Sequence, residues 1–182
     1  MKSTFHTLSR YDRKTIHLHW ITAGLVIALW CLGQSIDWFP RGMPRIVARS
    51  THISVGALLA MVLCYRMHWR STEGVRLPAF GSRRLDQLGH LVHFLLYVLL
   101  VGVIALGIAN VWVRGDMLFN LFKIPALDAG NKALRKQVEA LHAIFANLLL
   151  ILAGLHALAG LFHHYILKDG VLGRMLPGLE QR

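Results

Sequence analysis

The sequence predicts an all-α integral membrane protein, a bundle of four helices with both termini on the cytoplasmic side. Three observations carry this prediction. Hydrophobic residues make up 55% of the chain and charged residues only 16%, whereas a soluble domain carries about a quarter charged residues. The mean hydropathy is positive. The charges also gather at the two ends and in three short stretches between long apolar runs, as in a polytopic helical protein.

The first span, about 18–36, follows a basic stretch containing Lys2, Arg10, Arg13 and Lys14. A secretory signal begins the same way, but this apolar run is too long and lacks a small-residue cleavage motif, so it reads as a retained anchor. The third span, about 88–113, and the fourth, about 140–167, contain no Asp, Glu, Lys or Arg. Both are long enough to cross a hydrocarbon core of about 30 Å. The second is weaker, because its apolar core covers only 53–65, a length that also fits a buried soluble helix or a re-entrant segment. It becomes a span over about 46–69 if Arg49 and Arg66 snorkel toward opposite headgroup layers. Turn-forming segments separate the spans: 37–44 with Pro40, Gly42 and Pro44, then 71–84 with Gly74, Pro78 and Gly81, then 114–136 with Pro125 and Gly130. One transmembrane domain over 1–182 accounts for the chain, which shows no internal repeat.

Orientation follows from the basic residues near the span ends. The N-terminal tail, the second connection and the C-terminal tail hold 12 of the 20 Lys and Arg, against 8 in the other two connections. The positive-inside rule therefore places both termini in the cytoplasm. A net charge of +11 would also suit a nucleic-acid partner, but such a partner gives the apolar spans no role, so lipid is the expected neighbour. Cys31 and Cys64 both fall inside apolar runs and form no Cys-x-x-Cys pattern. That excludes a disulfide framework, a thiolate metal site and covalent haem attachment.

Eleven histidines stand in a chain that should avoid polar groups in its interior. His142 and His156 are 14 residues apart in the fourth span. At 100° and 1.5 Å per residue they share one helix face at two depths about 21 Å apart. With the N-terminus inside, His52 at the start of the second span matches the depth of His142, and His19 near the start of the first matches His156. The expected pairs are His52 with His142 on the outer side and His19 with His156 on the inner side. Paired imidazoles with few carboxylates or thiolates nearby suit two six-coordinate b-type haems better than zinc or a di-iron centre. Closed coordination makes electron transfer the expected chemistry. Gly24, Gly56, Gly102, Gly107 and Gly154 either leave room for a flat macrocycle or let helices pack closely. His17, His90, His93, His163 and His164 are given structural or proton-handling roles. Arg66, Lys168 and Arg174 are either snorkelled charges at helix ends or partners of haem propionates. Trp20, Trp30, Trp38, Trp69 and Trp112 sit mostly near span ends, as interfacial anchors do.

At these residues the sequence resembles the bacterial cytochrome b561 family, four-helix di-haem membrane proteins that include membrane-bound superoxide oxidase. The matching segments are Leu18-His19-Trp20-Ile21, then Thr51-His52-Ile53-Ser54-Val55-Gly56 through Tyr65-Arg66, then Leu88-Gly89-His90-Leu91-Val92-His93. They continue with His142, Ala146-Asn147-Leu148 and Gly154-Leu155-His156-Ala157, and end with His163-His164-Tyr165, Lys168-Asp169 and Arg174-Met175-Leu176-Pro177. The resemblance implies that His19, His52, His142 and His156 are the axial ligands of two haem b groups and that ubiquinone is the membrane partner. It further implies that superoxide is oxidised to dioxygen at the periplasmic side. One departure is Ala143-Ile144, where some members carry Glu-Thr.

Arg41, Arg45, Arg49, Arg114, Lys123, Lys132, Arg135 and Lys136, all in the outer connections, would steer a small anion toward the outer haem. The same charges would equally serve anionic headgroups or a partner subunit. Three function classes follow. The first is a superoxide:quinone oxidoreductase, or one fed by another periplasmic donor. The second is a cytochrome b anchor relaying electrons within a larger dehydrogenase or hydrogenase. The third is a transporter or proton channel with a histidine relay.

Overall fold

The computed structural model describes residues 10–78, 83–128 and 130–176; Lys2, Gly81 and Pro177, named above, lie outside them. Four long helices, α1 (Arg13–Ser35), α2 (Met43–Thr72), α3 (Arg83–Arg114) and α4 (Lys132–Phe162), form a bundle. All four are long and apolar enough to cross a membrane.

Local chemistry sets the helix ends. Asp12 caps α1, and its carboxylate accepts from the Thr15 backbone N–H at 2.8 Å and the Thr15 hydroxyl at 2.6 Å. A 3-10 turn, Ile36–Trp38, ends that helix ahead of Pro40. Gly42, at φ 107°, turns the chain into α2, whose first turn takes Pro44 where a missing N–H costs nothing. Gly115, at φ 65°, closes α3. Asn131 caps α4 by accepting from Leu134 N–H at 2.9 Å. The last helix continues into a π turn, His163–Leu167, closed by Lys168 in the left-handed region. α2 runs unbroken through the second apolar segment and beyond it at both ends.

The bundle packs chiefly as two pairs, α1 with α2 and α3 with α4. Gly33 near the end of α1 meets His52 near the start of α2, and His19 near the start of α1 meets Arg66 near the end of α2, so this pair is antiparallel. The core, Leu29, Leu59, Leu63, Leu100, Val103 and Leu149, fills the middle of the bundle. Large side chains such as Ile27, Met61, Phe94, Ile151 and Leu158 point outward and stay exposed, an apolar girdle that requires lipid around it.

One end of the bundle, the hairpin end, carries a two-stranded antiparallel turn of β1 (Met117–Leu118) and β2 (Phe122–Lys123). It is tied to α2 through Ser50, which is fully buried. The Ser50 hydroxyl accepts from Phe119 N–H at 2.8 Å and approaches the Met117 carbonyl at 3.4 Å.

The opposite, terminal end is laced together by polar contacts among the first described residues, the α2–α3 connection and residues 171–176. Tyr11 N–H donates to the Arg174 carbonyl, the Trp20 indole to the Met175 carbonyl at 2.9 Å, and Arg174 to the Pro78 carbonyl at 3.0 Å. Asp12 is the hub. Burial alone would push its carboxyl up, but the Thr15 hydroxyl and N–H, the Val75 N–H and the Trp69 indole all donate to it and hold it at about 2. Relative to the ordinary 3.8, this contributes stability that is fully present above about pH 4 and lost as pH falls toward 2. Thermal unfolding of the detergent-solubilised protein is therefore expected to show an acid limb in that window that shrinks in Asp12→Asn; an unchanged limb would clear Asp12 of that role.

Candidate functional site

The structure brings the four candidate histidines together as two pairs at two levels of the bundle. Near the hairpin end, His52 of α2 and His142 of α4 have ring centres 6.2 Å apart. Near the terminal end, His19 of α1 and His156 of α4 have ring centres 6.4 Å apart. Two metal–imidazole bonds of about 2 Å each, with roughly a further ångström from each bonded nitrogen to its ring centre, span about 6 Å. Both separations fit one metal held between facing rings.

The surroundings of the rings fit the same use. His142 Nδ1 lies 3.0 Å from the Val103 carbonyl. A proton donated there fixes the tautomer and leaves Nε2 as a free ligand atom. A Cβ on Gly33 would stand 3.3 Å from His52 Cε1, and one on Gly107 would stand 3.2 Å from His142 Cε1. Gly33 is not among the glycines named from sequence. Of the glycines named from sequence, Gly102 is held close by Phe145, while a Cβ on Gly24, Gly56 or Gly154 would meet nothing within 4 Å.

The terminal-end site holds more than two histidines. His93 of α3 has its ring centre 5.0 Å from that of His156, too close for a metal to stand between them, so His93 packs beside the pair instead of completing it. Depth in its span was the signal available, since His93 lies in the first third of α3, at the level where α4 carries His156. Arg66 does not snorkel away. Its Nη2 lies 3.2 Å from His19 Nδ1, and its guanidinium lies 5.4 Å from the centre of the Tyr97 ring.

Other described histidines lie elsewhere. His163 Nδ1 is hydrogen-bonded to the Asp169 carboxylate in the π turn, and His90 caps back on Asp86 within the first turns of α3. His17 is exposed. Two tryptophans expected as interfacial anchors also serve as internal ties: Trp30 donates to Asn147 Oδ1 at 2.9 Å across α1 and α4, and Trp69 joins the Asp12 hub.

The hairpin end is less positive than the sequence suggests. Arg45 pairs with Asp37 at 3.2 Å. Arg49 and Arg114 both approach Asp116 at 3.5 Å, and Arg114 also binds Glu139 at 3.0 Å. Three cations and three anions thus cancel, and the net positive charge of this end rests mainly on Arg41, Lys123, Lys132, Arg135 and Lys136.

Comparison with known proteins points the same way. A family described as prokaryotic cytochrome b561 matches residues 10–178. The chain is 30% identical to a probable superoxide oxidase CybB of Yersinia pestis over 173 residues, 92% of this chain and 96% of that protein. It is 29% identical to cytochrome b561 homolog 1 of Escherichia coli over 175 residues, 93% and 98% of the two chains. It is 31% identical to a cytochrome b562 of Cereibacter sphaeroides over 171 residues, 91% and 94% of the two chains.

Proposed function

The chain belongs to the prokaryotic cytochrome b561 family, haem b proteins of bacterial membrane electron transfer, and on that footing we propose that it is a superoxide:ubiquinone oxidoreductase with two haem b groups. The observation that carries the reading is the pair of imidazole couples, His52 with His142 and His19 with His156, each at a separation suited to one iron. His52 and His142 would hold one haem, His19 and His156 the other, and Arg66 would lie against the second. When bound in such couples, haem b supplies a one-electron ferric/ferrous pair with no open coordination position. The superoxide branch is supported by the name of the 30% identical relative.

In this reading both termini face the cytoplasm, the membrane is the inner membrane, and the whole chain is one transmembrane domain. Two superoxide anions each give up one electron at the hairpin end and leave as dioxygen; one ubiquinone takes the two electrons and two protons to become ubiquinol. The exposed cations beyond the paired arginines draw superoxide in. His163 Nδ1, held against Asp169 at the cytoplasmic end of α4, is a group able to pass a proton there.

The test uses purified protein and a soluble ubiquinone analogue in a superoxide-generating system. Reduction of the b-type spectrum, ubiquinol formation and superoxide decay faster than in a heat-denatured control are expected. Unreduced haem, with decay no faster than that control, rejects superoxide as the donor.

A further inference from the structure

The face of α3 that meets His142 continues toward the hairpin end with polar groups the pairing of histidines does not use. Val103 accepts from His142 and Gly107 touches its ring. The next positions on that face are Asn110 and Arg114, three and seven residues further along, about 4.5 and 10 Å beyond Gly107 at helical rise. Asn110 Oδ1 and Arg114 Nε are both buried and have no hydrogen-bond partner among the described residues. Arg114 is otherwise engaged through Nη1 with Glu139, and its Nε comes within 3.5 Å of Asp116 Oδ1 without a hydrogen bond. Unpaired buried polar atoms are costly and scarce, so two on one stripe beside a candidate ligand mark a polar group still to be supplied.

A haem carries its two carboxylates on one edge, several ångströms from the iron. A carboxylate edge is an acceptor that these positions can serve: Arg114 Nε–H is a donor that its approach to Asp116 leaves without a hydrogen bond, and rotating the Asn110 amide presents its N–H₂ in the same place. From α2, Arg49 stands one turn beyond His52 and reaches Asp116 of the same cluster, so the cluster closes over the His52–His142 couple from two helices. Resting on the two-haem reading, we infer that Asn110 and Arg114 form the propionate cradle of the haem held by His52 and His142.

The full-length chain, as wild type and as Asn110→Leu, Arg114→Gln and Arg114→Lys, is loaded with haem b or with haem b whose propionates are methyl esters. Occupancy of the outer site is read from the spectral component that His142→Ala removes. Esterification is expected to weaken that site in the wild type about tenfold or more, the scale of a charge-assisted hydrogen bond. In Asn110→Leu and Arg114→Gln most of this penalty should vanish, and Arg114→Lys should fall between. Asn110→Leu leaves the Arg49–Asp116–Arg114–Glu139 cluster intact, so it remains informative if an Arg114 variant misfolds. An undiminished penalty in Asn110→Leu overturns the proposal. So does an altered KM for superoxide at unchanged penalty, which would assign these groups to a free anion. Absence of any haem at that site in the wild type rejects the two-haem reading and the cradle with it, whereas two haems with undiminished penalty reject the cradle alone.

Discussion

His142→Ala is expected to cut the haem content from two per chain to one, and His52→Ala to remove the same haem. His19→Ala and His156→Ala should remove the other. The rings of each couple lie 6.2 or 6.4 Å apart at levels separated by the 14 residues between His142 and His156. Deleting one ligand of a couple therefore leaves the other couple about 21 Å away untouched. The surviving haem should keep a low-spin b-type spectrum, since its two imidazoles are unchanged. Haem extraction with redox difference spectra reads both quantities. If all four variants lose one and the same haem, the pairing is wrong; if all four keep two, these side chains are not the ligands.

Gly107→Val should cost most of the outer haem while leaving the helices in place. A single Cβ there already meets His142 Cε1 at 3.2 Å, so alanine asks the ring to move by a few tenths of an ångström, and the two further methyls of valine push it out of line with His52. Overpacking of this kind costs about 1–3 kcal/mol, which corresponds to roughly 5- to 150-fold in occupancy. The expected order is wild type, then Gly107→Ala, then Gly107→Val, with circular dichroism unchanged. Full occupancy in Gly107→Val would show that the ring has slack the packing does not suggest.

The helices and both couples were legible in the sequence because each rests on a periodic or compositional signal. Unbroken apolar runs define spans, and 14 residues return a helix to the same face. What stayed hidden depends on contacts between elements. The hairpin of β1 and β2 has two residues per strand, too short for any alternation to register. Arg66 has a side chain long enough to snorkel or to turn inward, and only the position of His19 decides between them. His93 sits at the right depth, yet only the 5.0 Å approach to His156 shows that it packs beside the couple. Asn110 carries no periodic signal of its own, and only the stripe from Val103 to Arg114 set against His142 brings it out.

The division of the bundle into two helix pairs, α1 with α2 and α3 with α4, bears on how such a protein is made. Each couple takes one histidine from the first pair and one from α4. If these couples hold iron as proposed, neither can clasp it from both sides until the last helix has left the ribosome and entered the bilayer. On the two-haem reading, the insertion of α4 then sets the earliest moment at which either site can close, although the apolar core already joins the two helix pairs.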